Sequence, residues 1–293
     1  MVTDFLALDD HRADALMPML ERAVELASCW QLRQMPQTLR GVRVALIVDD
    51  GGWRNTTAFE LGAKAMGGVC VGAPITLQGN EAVRDLAGYL DNWFDIIVVR
   101  TPDLSRLRQL ADATRAPVIN ARTRSNHPCE TLGDLAFVLA NRGKLENLRV
   151  AVVAPDDNIL GSWAEAAAAL PISVAQIFPD RWHAKRFSHI ERFSATSDLR
   201  ALTSADVVIT DCWPKNADAG ELLGYQVTEG LLERYAPLAY FIPCPPVTRG
   251  QEVSPEVMEA PNCMVVKAKA YLLHAQNALL ESMAATADIG HPI

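Results

Sequence analysis

Four places along the chain gather residues able to bind an anion, polarise a carbonyl or hold an amine. The first is Asp49-Asp50-Gly51-Gly52-Trp53-Arg54-Asn55-Thr56-Thr57. Its glycines let the backbone approach a ligand, and Asn and Thr at a helix start present N–H groups and hydroxyls to an anion. The same residues also suit an ordinary capped turn carrying a surface arginine. The second is Arg100-Thr101, directly after the apolar run Ile96-Ile97-Val98-Val99. A cation at the end of a buried strand needs an anionic partner, which either a ligand or an internal salt bridge supplies. In the third, Asn120 precedes His127-Pro128-Cys129-Glu130. His127 can donate to a carbonyl oxygen, with Glu130 about one turn on along the same face; alternatively it is simply an N-terminal helix residue. The fourth is Asp211-Cys212-Trp213, with Cys244-Pro245-Pro246 and Arg249-Gly250 after the next apolar run. Asp211 suits a substrate ammonium, while burial is the usual fate of a residue such as Cys244.

The elements that must position these groups read as short apolar runs alternating with helical stretches. Asp10–Leu32 spaces Leu16, Met19, Leu20, Ala23, Val24 and Ala27 as an amphipathic helix. Strands are predicted at Val42–Val48, Gly68–Val71, Ile96–Val99 and Pro117–Asn120, with helices at Thr56–Met66 and Glu81–Leu90. After the polar stretch Asn141-Arg142-Gly143-Lys144 the alternation restarts. Strands are predicted at Arg149–Ala154, Ser173–Ile177, Val207–Thr210, Ala239–Ile242 and Cys263–Val266, with helices at Trp163–Leu170 and Lys267–Ala284. Continuous apolar strands between helices imply parallel sheets covered on both faces. Ligands of such sheets bind outside the strand C-termini, in a crevice expected between the two domains.

Composition narrows the class. The chain has 293 residues, 49% of them hydrophobic, enough for two domains with their own cores. A formal net charge of -8 disfavours nucleic acid as a partner. No apolar run is long enough to span a membrane, and the acidic N-terminus lacks a secretory signal's basic region. Six scattered cysteines without a C-x-x-C pair suit a reducing cytoplasm and neither a disulfide framework nor a zinc site.

In this order, the segments resemble the aspartate/ornithine carbamoyltransferase family, nearer its ornithine branch, over nearly the whole chain. His127-Pro128-Cys129-Glu130-Thr131-Leu132-Gly133-Asp134 is similar to the family's H-P-C-Q-x-L-x-D helix, and Asp95–Arg100-Thr101 to its strand ending in Arg-Thr. Asp157-Asn158 with Ser162, Asp211-Cys212-Trp213, Tyr225-Gln226-Val227-Thr228, Phe241–Val253 and His274–Leu280 match further family segments in register. The resemblance implies an α/β fold of two doubly wound parallel-sheet domains joined by interdomain helices. Residues 1-142 would form a carbamoyl-phosphate-binding-like domain and 143-293 an amino-acid-binding-like domain, with a last helix at about 267-284 returning to the first. It also implies a homotrimer or a multiple of it, and attack of an amine on a carbamoyl carbon with phosphate leaving. The resemblance implies neither a cofactor nor a metal.

What the resemblance implies for single residues follows. Arg54, Arg100 and His127 would be catalytic; Gly52, Trp53, Arg54, Asn55, Thr56, Arg100, His127 and Glu130 would bind the donor. Asn158, Asp211, Cys244 and Pro245 would bind an amino-acid-like acceptor, and Gln78 and Asn80 would be lent to a neighbouring subunit. Departures cluster at the donor end. Gly52-Trp53-Arg54-Asn55-Thr56 stands where the family has S-T-R-T-R, Glu130 replaces a glutamine, and Leu272 falls where ornithine enzymes place an arginine. Glu130 could still accept from the carbamoyl NH2 but would repel a nearby phosphate unless Arg54 or Arg100 screened it. The expectation is a divergent carbamoyltransferase using carbamoyl phosphate. The alternatives are the same fold with another donor or reaction, and a non-catalytic metabolite-binding homologue.

Overall fold

The computed structural model describes residues 4–286. Its elements run α1 (Ala13–Gln31), β1 (Arg43–Val48), α2 (Trp53–Ala65), β2 (Val69–Ala73), α3 (Val83–Trp93), β3 (Ile96–Arg100), α4 (Leu104–Ala113), β4 (Val118–Arg122) and α5 (Pro128–Arg142). They continue with β5 (Arg149–Val153), α6 (Asn158–Ala169), β6 (Ser173–Ile177), β7 (Phe193–Thr196), β8 (Val207–Thr210), α7 (Ala219–Leu222), α8 (Glu229–Tyr235), β9 (Tyr240–Pro243) and α9 (Val265–Thr286). The chain divides into two compact units. One comprises the residues up to Asn141 and those from Lys269 onward, and the other is Arg142–Ala268. The chain therefore crosses between units in the last turn of α5 and the first turns of α9.

In the first unit the sheet order is β2-β1-β3-β4, every pair parallel. The inner strands β1 and β3 are apolar without alternation because helices cover both sides, so Val44–Ile47 and Ile96–Val99 are all buried. Ala45, Ile47, Ile97 and Val99 pack with Leu86, Leu90, Leu107 and Leu110 of α3 and α4. The order reverses between β1 and β3, which makes their C-terminal ends the switch point of this sheet. In the second unit the order is β7-β6-β5-β8-β9, again parallel, with the switch between β5 and β8. Its core includes Val153, Ile177, Phe178, Val208 and Phe241.

The final helix belongs to the first unit over most of its length. Arg22 of α1 holds Glu281 with two hydrogen bonds, Nε at 2.5 Å and Nη2 at 2.9 Å. Gly62 of α2 lies so close that a Cβ would fall 2.0 Å from Asn277 Oδ1, and at Gly133 of α5 one would fall 3.0 Å from the Leu272 backbone. Leu272 is buried in this helix packing.

Several predicted boundaries need correction. α2 starts at Trp53 and α6 at Asn158, not at Thr56 and Trp163. The donor-side residues therefore form a helical first turn and not a loop. Cys263–Val266 is not a strand. Cys263 makes one isolated parallel bridge to Phe241, and Val265 already begins α9. The true fifth strand of the second sheet is β7, missed because Phe193-Ser194-Ala195-Thr196 is a half-exposed edge strand with one large apolar residue. α4 also escaped notice, although Asp103 caps it by accepting from the N–H groups of Ser105 at 2.8 Å and Arg106 at 3.2 Å.

Candidate active site

At the switch point of the first sheet, β1 runs into Asp49 and Asp50, and β3 ends on Arg100. Backbone pairing locks the two ends together, with Asp49 N donating to Arg100 O at 2.8 Å. Asp49 is committed to this frame. Its carboxylate accepts from Thr101 Oγ1 at 2.6 Å and Leu77 N at 3.2 Å. Asp50 takes two guanidiniums, Arg100 Nε at 2.8 Å on one oxygen and Arg122 Nη1 at 2.5 Å on the other. The internal salt bridge left open for Arg100 is therefore realised, and Arg122, at the end of β4, is a member of the cluster that the sequence did not single out. Burial lowers the Arg100 pKa, opposed by Asp50 and assisted by the charge of Arg122. Gly52 is required here. Its φ is +136°, and a Cβ would lie 2.5 Å from Arg100 Cζ.

The rest of the anion-side stretch divides sharply. Trp53 is 67% exposed and serves as a platform for Arg54, whose Cζ lies 5.0 Å from the ring centroid. Asn55 is buried. Its Nδ2 donates to Ala121 O at 3.3 Å, while Oδ1 has no partner. Thr56 Oγ1 turns back to Trp53 O at 3.2 Å. Gln78 donates from Nε2 to Thr101 Oγ1 of its own chain at 3.1 Å, and Asn80 is exposed.

His127 sits at the mouth of α5. Its carbonyl accepts from Glu130 N at 3.1 Å and Thr131 N at 3.3 Å, and Pro128 takes the first helical position, where its missing N–H costs nothing. So His127 is a helix-start residue by its backbone, as the plainer reading had it, while its ring lies 3.9 Å from Glu130 Oε2. Burial pushes its pKa down to about 4, with Glu130 opposing and Arg100, Arg122 and Lys269 assisting. The imidazole is therefore neutral near pH 7.

Glu130 was expected to need screening by Arg54 or Arg100. The main screening cation is instead Lys269, brought in by α9. Its Nζ lies 2.9 Å from Glu130 Oε1 and 2.7 Å from Asp134 Oδ2. Burial alone would raise the pKa of Glu130, but the Lys269 ammonium outweighs it and holds Glu130 below the usual carboxylate range, with a smaller part from Arg54. Asp134, further from the mouth, is pushed up to about 6 by burial, against the pull of Lys269. Nothing local in the sequence marks Lys269, since one lysine on an amphipathic helix carries no signal of its partner.

These shifts predict a pH dependence. Burial lowers the pKa values of His11, His127 and His274, the last two to about 4. Between their folded values and about 6.5 the unfolded chain binds more protons, so stability is lost as pH falls through that window. Asp134 has the opposite sign, its raised value favouring the folded state most at low pH and less as pH rises through 6. Burial also raises Asp4 and Glu252, which share the sign of Asp134. The imidazoles of His127 and His274, displaced to about 4, nevertheless act across the whole window, so the urea midpoint is expected to fall between pH 7 and pH 5. His274→Gln should reduce that fall, and an unchanged slope in the variant would refute this assignment.

In the second unit the strand ends at the switch point are joined similarly. Thr210 Oγ1 donates to Val153 O at 2.8 Å, and Cys244 N to Thr210 O at 2.8 Å, tying β5, β8 and β9 together. Asp157 caps α6 by accepting from Asn158 N at 2.6 Å, and Asn158 is buried. Asp211 accepts from Cys212 N at 2.8 Å. Cys244 is buried, its Sγ 3.9 Å from Pro245 O, and Cys212 Sγ lies 3.2 Å from Pro246 O. Asn158, Asp211, Cys244 and Pro245 thus stand at neighbouring strand ends of one sheet. Arg249 is exposed and turned to Glu259 at 2.9 Å and Pro255 O at 2.8 Å. Among the described residues no group of acidic, histidine or cysteine side chains is arranged to hold a metal, and no helix is long and apolar enough to cross a membrane.

Two parallel α/β sheets in series, each with polar groups gathered at its switch point, define a two-domain ligand-handling α/β protein. Residues 3–139 match the carbamoyl-P binding domain of aspartate/ornithine carbamoyltransferases, and residues 146–283 match the Asp/Orn binding domain. The chain belongs to the aspartate/ornithine carbamoyltransferase family, a family of transferases. It is 32% identical to the ornithine carbamoyltransferase of Rhodopseudomonas palustris over 94% of this chain and 95% of that one. Its fold matches the ornithine carbamoyltransferase structures from Burkholderia thailandensis, at TM-score 0.90 and 27% identity over 96% of this chain and 98% of that one, and from Pyrococcus furiosus, at 0.89 and 26% over 95% and 96%.

Proposed function

We propose that the protein transfers a carbamoyl group from carbamoyl phosphate to the amine of an amino-acid-like acceptor. The observation that carries this reading is the joint placement of Arg100, Arg122 and a neutral His127 at the C-terminal edge of the first sheet, beside the N-terminus of α2. A leaving phosphate needs fixed positive charge, and the carbamoyl oxygen needs a donor that does not first have to lose solvent. A buried neutral imidazole supplies the second without protonating the attacking amine. Arg54, supported by Trp53, adds a solvent-exposed cation at the same helix start, and the N-terminal end of α2 adds its dipole. Glu130, held ionised by Lys269, suits acceptance from the carbamoyl NH2. In the second domain Asp211 suits the acceptor's ammonium, Asn158 its carboxylate, and Cys244 with Pro245 its aliphatic part. Phosphate release with carbamoyl phosphate and a panel of amino acids, ornithine first, tests the reading. Absence of release above the uncatalysed rate with every amine would overturn it.

We further propose a homotrimer or a multiple of it in the cytoplasm, with the loop around Gln78 and Asn80 completing a neighbour's site. Support comes from the outer strand β2, which exposes Val69 and Val71 at the edge of the sheet, and from exposed Leu61 of α2. Such an edge is normally covered. Light scattering after size exclusion reads this directly, and a monomer would refute it.

A further inference from the structure

The guanidiniums at the strand ends already have an anion. Asp50 places one carboxylate oxygen on Arg100 and the other on Arg122, at 2.8 Å and 2.5 Å, so it bridges the ends of β3 and β4 from its own position after β1. Its side chain is 39% exposed, whereas those of Arg100 and Arg122 are 12% and 22% exposed. The carboxylate therefore sits on the solvent side of the two cations, where an incoming oxyanion would meet them. Neither guanidinium has another hydrogen-bonded partner among the described residues. Two cations and one anion leave a net charge of about +1 for a ligand to use, against about +2 without Asp50, and a bidentate carboxylate copies two oxygens of a phosphate.

Resting on the reading that the donor's leaving group docks at these strand ends, we propose that Asp50 is a specificity-determining residue. It acts as a built-in competitor for Arg100 and Arg122, so the site disfavours a strongly charged phosphate donor unless Asp50 swings out. The competition is between like groups. An oxyanion must displace a tethered carboxylate from both arginines, and while Asp50 stays nearby it repels the newcomer at close range. Arg122 is then part of the anion site and not only a brace for the loop.

Isothermal titration with inorganic phosphate separates this role from a purely structural one. Asp50→Asn is expected to bind phosphate about tenfold tighter or more, the ratio for about 1.4 kcal/mol. Arg122→Met in the Asp50→Asn background should remove that gain. A brace would act in the opposite direction, since losing it frees both arginines and weakens binding. Unchanged or weaker phosphate binding by Asp50→Asn overturns the proposal, as does a gain that survives loss of Arg122. Should Asp50→Asn not fold, Asp50→Ser is read in its place, and the wild-type affinity gives an independent measure. That affinity is expected to be about millimolar or weaker, and micromolar binding would overturn the proposal. Turnover with carbamoyl phosphate, followed in parallel, keeps the two readings apart. Tighter phosphate binding without turnover in any variant sinks the transfer reaction and leaves Asp50's role intact, whereas turnover without the phosphate gain does the reverse.

Discussion

Lys269→Met is expected to cost about 3–5 kcal/mol of folding stability, the scale for removing one partner of a buried ion cluster. The Lys269, Glu130 and Asp134 side chains are only 11%, 9% and 3% exposed. The ammonium contacts Asp134 Oδ1 at 2.8 Å and Oδ2 at 2.7 Å, and Glu130 Oε1 at 2.9 Å. Without it two carboxyls share a dry pocket. Asp134 can escape by taking a proton, as its pKa of about 6 foreshadows. Glu130 keeps its charge and lacks a counter-ion of comparable strength. Against a total stability of about 5–15 kcal/mol the loss is severe. Glu130→Gln added to Lys269→Met should recover a large part of it, because the amide carries no charge to bury. Urea unfolding reads both variants, and an unchanged midpoint for Lys269→Met would refute the electrostatic account of this cluster.

Arg100→Met should reduce carbamoyl transfer by about 10²–10³-fold in kcat, the effect of losing one fixed group that stabilises developing charge. The fold should survive, since the side chain reaches its partner Asp50 at the open end of the sheet and not in the core between the helices. Arg54→Ala should abolish transfer from carbamoyl phosphate. Arg54 is exposed and rests on Trp53, so its removal disturbs little else. Wild-type rates in Arg54→Ala would indicate a different donor. In each variant a rise in KM without loss of kcat would mean that the arginine binds substrate and transition state alike.

Much of the scaffold was legible because parallel strands covered on both faces must be apolar throughout, and that pattern is local. Ser173–Ile177 and Val207–Thr210 have the predicted limits. The pattern fails where its premise fails. β7 lies on an edge, so Ser194 and Ala195 can be exposed and no apolar run forms. At Cys263–Val266 the run is apolar, but four residues cannot distinguish a strand from the first turn of a buried helix. Only one bridge to Phe241 forms before α9 begins.

By itself the sequence determined which residues stand at strand exits. Arg100 must follow Val99, and Asp50 must follow β1, whatever else the chain does. It likewise determined that His127 opens a helix, because Pro128 tolerates only that end. The tertiary structure alone decided which charges meet. Asp50 is 50 residues from Arg100 and 72 from Arg122, and Lys269 is 135 from Asp134. The pairing depends on the order β2-β1-β3-β4 and on α9 packing against α5 through Gly133. A charge reveals its sign in the sequence, but its partner is set by the low-dielectric space it shares, and that space exists only once the helices have closed over the sheet.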